Sequence, residues 1–117
     1  MIKRTLDELE AYAAPGHYGM TAMRIAGEAE TGNKKFWVGL SNFLPGGGAE
    51  WGYEDSPTEK VYYILEGEMT VYTKKDKSEK IVVGPGEAIT ILPFEGREMV
   101  NEKNVVCKLL VVIDYPA

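Results

Sequence analysis

Four carboxylates lie close together just before the lysine that opens a segment rich in Tyr, Val and Ile. The four are Glu50, Glu54, Asp55 and Glu59, and the lysine is Lys60. Carboxylate oxygens can hold a hard cation or act as a general base. Lys60 can supply a positive charge for an anion, or a nucleophilic amine if desolvation lowers its pKa. The chain has one histidine, His17, which precedes this region.

Charge and composition exclude several classes of function. The formal net charge of the 117-residue chain is −5, and no basic stripe offsets it, so we expect neither nucleic-acid nor membrane binding. No apolar run approaches the ~20 residues of a membrane span, and the N-terminus turns acidic where a signal peptide turns apolar. A single cysteine, Cys107, excludes an internal disulfide and predicts a cytoplasmic location. Cys107 lies in an apolar run and is expected to be a buried packing residue.

The pattern of apolar residues predicts an all-β protein. A capping box at Thr5 indicates a short helix over residues 5–12, cut off by the following Pro-Gly pair. The candidate strands are 20–26, 35–44, 49–53, 60–65, 68–74, 80–83, 88–92, 97–101 and 105–115. Turn signals separate them at 32–33, 45–48, 55–57, 84–86 and 95–96. Segments 60–65 and 68–74 are predicted to form an antiparallel hairpin that turns at Glu66 and Gly67.

Glycines frame two segments at spacings that matter for the function. The first segment carries Gly48, Glu54, Ser56, Lys60 and Gly67, with Gly47, Tyr53 and Asp55 as a second reading of the same interval. The second segment carries Gly86, Leu92, Phe94, Arg97 and Asn101. These spacings resemble the two motifs of the cupin superfamily, Gly-x5-His-x-His-x3/4-Glu-x6-Gly and Gly-x5-Pro-x-Gly-x2-His-x3-Asn. The resemblance implies a cupin-type jelly-roll barrel, with an N-terminal arm over residues 1–19 and the barrel over 20–117.

The resemblance also implies a divalent metal held by three histidines and one glutamate, but this chain departs from all four ligands. Glu54 or Tyr53, Ser56 or Asp55, Lys60 and Arg97 occupy those positions. Two of them are cations that repel a metal ion, and a transition-metal site of this type needs imidazole ligands. We therefore predict a metal-free cupin without a cofactor.

Strand alternation predicts which side chains share the barrel interior. If Lys60 points inward, Tyr62 does too, and Met99 and Asn101 accompany Arg97. Glu54 or Asp55 is expected to approach from the loop at the mouth. The candidate ligand-binding residues are Lys60, Arg97, Tyr62, Glu54, Asp55 and Met99.

Two interpretations of this interior remain open. In the first, Lys60 and Arg97 pair with Glu54, Asp55 or Glu95 and form a structural cross-link, because buried charges need partners. In the second, the two cations bind a small anionic metabolite, and the site supports non-oxidative, isomerase- or lyase-like chemistry.

Three further hypotheses follow from the same residues. The barrel could be a non-catalytic scaffold or sensor subunit. The acidic cluster with His17 could form a displaced, carboxylate-rich metal site, although His17 is more simply expected in an exposed turn or against a partner subunit. Exposed sheet edges, and the dimers common among small cupins, predict a homodimer.

Overall fold

The computed structural model describes residues 1–115 and consists mainly of β-strands. The strands are β1 (Ala11–Tyr12), β2 (His17–Ala26), β3 (Phe36–Tyr53), β4 (Lys60–Glu66), β5 (Met69–Tyr72), β6 (Lys80–Val83), β7 (Ala88–Ile91), β8 (Gly96–Val100) and β9 (Cys107–Asp114). The helical elements are a 3-10 turn (Leu6–Glu8) and α1 (Glu28–Thr31). Within the described residues, neither helix has the length or the apolar character that crossing a bilayer requires. The predicted all-β jelly-roll barrel is confirmed.

The strands form two layers that share one long strand. The pairing order is β6-β5-β8-β3-β9-β4-β7, and β2 pairs with both β1 and β3. The first half of β3 pairs with β9 and its second half pairs with β8, so β3 passes from one layer to the other. A nearly closed barrel results, and its apolar core lies between the layers.

Residues 45–48, predicted as a turn between two strands, are instead a bend inside β3. Gly46 has a φ of +81°, which favours glycine, and a Cβ on Gly47 would lie 2.1 Å from the carbonyl oxygen of Gly19. The Pro-Gly signal was correct about the irregular backbone. The prediction of two strands was wrong because the β2 backbone packs against this bend and the pairing with β2 continues on both sides of it.

The predicted hairpin of residues 60–65 and 68–74 is also wrong. Strand β4 pairs with β7 and β9, whereas β5 pairs with β6 and β8. The chain crosses between the layers at Gly67, where φ is +78° and a Cβ would lie 2.4 Å from the carbonyl oxygen of Val106. Two consecutive β segments joined by a short turn look alike in sequence whether they pair or cross over.

The predicted alternation along β4 and β8 is confirmed. Tyr62 and Ile64 are buried while Val61 and Tyr63 are exposed. Met99 and Asn101 are fully buried on the second strand's inner face. These are the strands that carry Lys60 and Arg97 toward the interior.

The N-terminal segment departs from its predicted helix. Only Leu6–Glu8 forms a 3-10 turn, and Thr5 makes no side-chain capping bond. Ala11 and Tyr12 pair with Met23 and Ala22, so part of this segment adds a short strand to the sheet. The proposed division into an arm (1–19) and a barrel (20–117) stays a prediction, and residues 116–117 lie outside the described residues.

Candidate functional site

A cavity of about 200 Å³ lies between strands of the barrel and Tyr12, Ala14 and Pro15 of the N-terminal segment. Its polar lining consists of His17, Arg24, Ser41, Lys60, Tyr62 and Arg97. Its apolar walls come from Met20, Trp37, Val111 and Ile113. The cavity is smaller than the ~300–1,000 Å³ that is typical for drug-sized ligands, so it suits a small metabolite.

The cavity is strongly cationic. Arg24, Lys60 and Arg97 line it, and of the residues described by the structure no Asp or Glu does. The chain as a whole carries a net charge of −5 and has ten lysines and three arginines, so this concentration of cations does not follow from composition. Cations gathered on low-dielectric walls attract and hold anions.

Lys60 is partly neutralised from outside the cavity. Its Nζ lies 2.8 Å from Oε1 of Glu54, and the two side chains are only 19% and 15% exposed. The Lys60 hydrogen bond holds the pKa of Glu54 below its ordinary value, and hydrogen bonds from Ser56 act in the same direction. Glu54 is therefore ionised at neutral pH and occupied by its partner, which makes it a poor proton acceptor.

Arg97 lacks such a partner. Its Nη1 donates to the backbone carbonyl of Glu50 at 3.2 Å, while its Nε is buried without a hydrogen-bond partner among residues 1–115. A smaller cavity of about 80 Å³ shares Lys60 and Arg97 with the first and is also bordered by Glu54 and Glu95. A buried donor without a partner costs ~1–3 kcal/mol, so Arg97 is less completely hydrogen-bonded than most buried polar groups.

Arg24, which lines the same cavity, lies between two aromatic rings. Its guanidinium carbon is 5.1 Å from the centroid of Tyr12 and 4.7 Å from that of Trp37. These cation–π contacts fix the side chain, and its Nε is a second buried donor without a partner in the described part of the chain. Sequence reasoning did not single out Arg24, since its neighbours become adjacent only through β1 and β3.

His17 also lines this cavity and is half-buried, so it does not lie in the exposed turn expected from sequence. Its contact with a partner subunit stays a prediction. Residue 17 begins β2 and pairs with Ala49, and its imidazole packs near Phe43 with ring centroids 6.3 Å apart. The ring Nδ1 donates to the carbonyl oxygen of Pro15 at 2.8 Å. Burial, together with the charges of Arg97 and Lys60, lowers the pKa of His17 despite the opposing effect of the Pro15 bond. No local sequence signal indicates that His17 lines a cavity, because only the register between β2 and β3 brings it there.

Comparisons with known proteins agree with this architecture. A family model described as "Cupin domain" matches residues 39–113. The chain belongs to the cupin family. It is 36% identical over 107 residues to a β-D-galactosidase of Mycobacterium tuberculosis, covering 90% of this chain and 86% of that relative.

Two solved structures share the cupin fold over 97% of this chain. The polyketide cyclase of Streptomyces resistomycificus superposes with a TM-score of 0.82 at 27% identity, and 80% of that chain is covered. A sugar phosphate isomerase from Silicibacter pomeroyi superposes with a TM-score of 0.79 at 19% identity, and 76% of that chain is covered. The names of these three proteins describe three different enzymes.

The structure brings together some of the predicted site residues and not others. Lys60, Tyr62 and Arg97 share the 200 Å³ cavity, and Glu54 contacts Lys60. Asp55 is exposed and borders neither cavity. Met99 is 1% exposed and belongs to the apolar core. Their roles in ligand binding stay predictions.

The residues of the cavity do not fit a cupin metal ion. Within residues 1–115, no three His, Cys, Asp or Glu side chains lie close enough to hold one. His17 is the single imidazole of the chain, and it faces two cations. Glu54, the nearest carboxylate to Lys60, is held by that lysine. The acidic cluster of residues 50–59 thus does not gather into the displaced site that was considered from sequence.

Proposed function

We propose that this cupin binds a small anionic metabolite in its cationic cavity without a bound metal ion. One observation carries the proposal: Arg24, Lys60 and Arg97 line the cavity without a carboxylate among its described lining residues, and two of them keep buried Nε donors unpaired. A bound anion pairs with these cations through charge-assisted hydrogen bonds.

The relatives narrow the class of ligand. One relative is named as a galactosidase and one structural neighbour as a sugar phosphate isomerase. Tyr62 and Ser41 offer hydroxyl groups beside the cations, which suits a polyhydroxylated compound. A sugar phosphate or a sugar acid combines both features, and a non-oxidative isomerase- or lyase-like reaction suits such a ligand.

A structural role for Lys60 is the competing interpretation, and the Lys60–Glu54 contact favours it. Within the described chain, this is the one ion pair in which both side chains are less than 20% exposed. A scaffold subunit built on this cross-link has no need of arginines in the cavity wall, so ligand binding separates it from the proposed function.

The test is a binding series by calorimetry and thermal unfolding with sulfate, ribose 5-phosphate, galacturonate and neutral galactose. We expect the anions to raise the unfolding temperature and galactose to have a much smaller effect. Lys75→Met, which removes a lysine from the exposed turn between β5 and β6, is the charge-matched control for Lys60→Met. The proposal is wrong if no anion binds, or if Lys75→Met weakens binding as much as Lys60→Met.

Metal content provides a separate test of the metal-free part of the proposal. We expect elemental analysis of the purified protein to find far less than one equivalent of iron, manganese, nickel or zinc per chain. About one equivalent in the wild type, lost in Glu54→Gln, would falsify a metal-free site.

We also propose that the cupin forms a homodimer through the outer face of β4 and β9. Val61 lies opposite Val112 across these strands, and both are more than a third exposed, as is the neighbouring Tyr63. Light scattering after size exclusion is expected to give twice the chain mass, and Tyr63→Lys to give the monomer. A monomeric wild type at micromolar concentration contradicts this.

A further inference from the structure

His17 occupies a fixed place in the wall of the anion cavity. Its backbone pairs with Ala49 of β3, and its ring packs near the buried Phe43. It is half-buried and borders the same cavity as Lys60 and Arg97. The imidazole is therefore positioned where a ligand held by those cations would lie.

The hydrogen bond to Pro15 determines which ring nitrogen can accept a proton. A carbonyl oxygen only accepts, so Nδ1, 2.8 Å from that oxygen, must carry the hydrogen. In the neutral ring, Nε2 then holds the free lone pair. A backbone carbonyl that fixes Nδ1–H is the arrangement that prepares Nε2 to act as a base.

The groups around His17 favour its neutral form. Arg97 on β8 and Lys60 on β4 face it, and Arg24 on β2, Tyr62 on β4 and Tyr12 on β1 share its cavity. Glu50 on β3 brings a carboxylate near Gly16, the neighbour of His17 in the chain: a Cβ on Gly16 would lie 4.0 Å from its Oε2. Burial and the two facing cations lower the pKa of His17, so the ring is unprotonated near pH 7.

We infer that His17 is the general base of the cavity and removes a proton from the carbon next to the carbonyl group of a bound anionic hydroxy-carbonyl compound. This inference rests on the proposed function and names its substrate class and reaction: isomerisation of a small phosphorylated or carboxylated sugar. The guanidinium groups of Arg97 and Arg24, which line the cavity, hold the anionic group. Lys60 faces the carbonyl oxygen, where negative charge develops.

The reaction is balanced without a co-reactant. A carbon–hydrogen bond breaks, its proton forms a bond to Nε2, and the electron pair becomes the double bond of an enediolate. The hydroxyl proton passes between the two neighbouring oxygens, and His17 returns its proton to the former carbonyl carbon. The product is the isomer in which the carbonyl group has moved by one carbon.

The first experiment locates the ligand beside His17. Because the chain has one histidine, its imidazole NMR signals need no further assignment. We expect sulfate, whose charge is constant over this range of pH, to raise the pKa of His17. Arg97→Met is expected to raise the pKa in the absence of sulfate, and Lys75→Met to leave it unchanged. Binding of sulfate with no change in the His17 titration overturns the placement.

The second experiment tests the chemistry with ribose 5-phosphate and galactose 6-phosphate in deuterium oxide. We expect the wild type to incorporate deuterium at the carbons beside the carbonyl group, as seen by proton NMR. His17→Gln keeps a donor for the Pro15 carbonyl but cannot take a proton. It is expected to lose exchange by about 100-fold or more while binding sulfate within about twofold of the wild type.

The outcomes separate this inference from the proposed function. If the wild type binds neither sulfate nor the sugar phosphates, the proposed function itself fails. If it binds them but neither sugar phosphate exchanges deuterium, or if His17→Gln exchanges as fast as the wild type, anion binding stands and the role of His17 as a base is wrong.

Discussion

Two polar side chains enter the barrel from opposite ends of β8, and their hydrogen bonding differs. Asn101, just after the strand, is fully buried, donates from Nδ2 to the carbonyl oxygens of Phe43 and Val105 at 3.0 and 2.8 Å, and accepts from the Lys103 backbone at 3.1 Å. Within residues 1–115, Arg97, near the start of the strand, makes one side-chain hydrogen bond, at 3.2 Å to a backbone carbonyl, and its buried Nε has no partner.

This difference in hydrogen bonding indicates that the two ends of β8 have different roles. A buried amide with its partners in place fixes the loop after β8 against the bend of β3, and nothing more can bind to it. A buried guanidinium with an unused donor is held in position but not satisfied. The satisfied end is therefore structural, and the unsatisfied end is the one that the proposed function assigns to an external acceptor.

The largest effect is expected at the satisfied end. Asn101→Leu leaves the carbonyl of Phe43 without its partner and removes three hydrogen bonds, so we expect the free energy of unfolding to fall by about 3 kcal/mol. Urea unfolding measures this. Asn104→Leu, at an exposed position in the same loop, is the matched control and should change stability by less than about 0.5 kcal/mol. If the two variants are equally stable, the hydrogen bonds of Asn101 do not stabilise the fold, and the contrast between the two ends of β8 is wrong.

At the unsatisfied end, Arg97→Met is expected to weaken sulfate binding by about tenfold or more, because a charge-assisted hydrogen bond contributes about 1.5–3 kcal/mol. Stability should change by less than about 1 kcal/mol, since the side chain makes a single hydrogen bond within the protein. Calorimetry and urea unfolding together test this. A loss of stability like that of Asn101→Leu, with sulfate binding intact, would make Arg97 a structural residue.

Lys60 lies between these two cases, and a double-mutant cycle with Glu54 measures how much of its role is structural. We expect Lys60→Met and Glu54→Gln to be coupled by about 1–2 kcal/mol, less than the ~3–5 kcal/mol cost of breaking a fully buried pair, because both side chains keep some exposure. Lys60→Met should also raise the pKa of Glu54 toward its ordinary value. Additive effects on the free energy of unfolding would show that the pair contributes no net stability.

The smallest expected effect is on pH dependence. The pKa of His17 is below the ordinary 6.5, so the ring gains its charge only as the pH falls below that value. The added cation should tighten sulfate binding about twofold to fivefold between pH 8 and 5.5. Without ligand, the free energy of unfolding should fall as the pH is lowered. The reason is that His17 of the unfolded chain has the higher pKa and takes up the proton first. Both trends should be absent in His17→Gln, and a wild type with flat profiles contradicts them.

Much of the fold was predictable because its signal is local. Side chains alternate across a strand with a period of two, so the sequence correctly placed Tyr62 and Ile64 inside and Val61 and Tyr63 outside. The strand at residues 80–83 has the predicted bounds, and the glycine-framed spacings indicated the cupin barrel. The same alternation carried Lys60 and Arg97 into one interior.

Strand partners were not predictable in the same way. Whether β4 pairs with β5 or crosses to the other layer depends on contacts with β9 and β7, which lie far along the chain. The bend at residues 45–48 depends on the backbone of β2. Turn residues indicate where the backbone changes direction, but they do not indicate which strand the following segment pairs with.

By itself, the sequence determined that this chain is an all-β cupin in which Lys60 and Arg97 occupy two motif positions where the family has a glutamate and a histidine. These properties follow from side-chain alternation and from residue identity. Tertiary structure alone decided that Lys60 meets Glu54, that Arg24 and His17 join Arg97 around one cavity, and that two arginine donors stay unpaired. Those outcomes depend on the register between β2 and β3 and on the closure of the barrel, which bring distant residues together and leave no trace in local spacing.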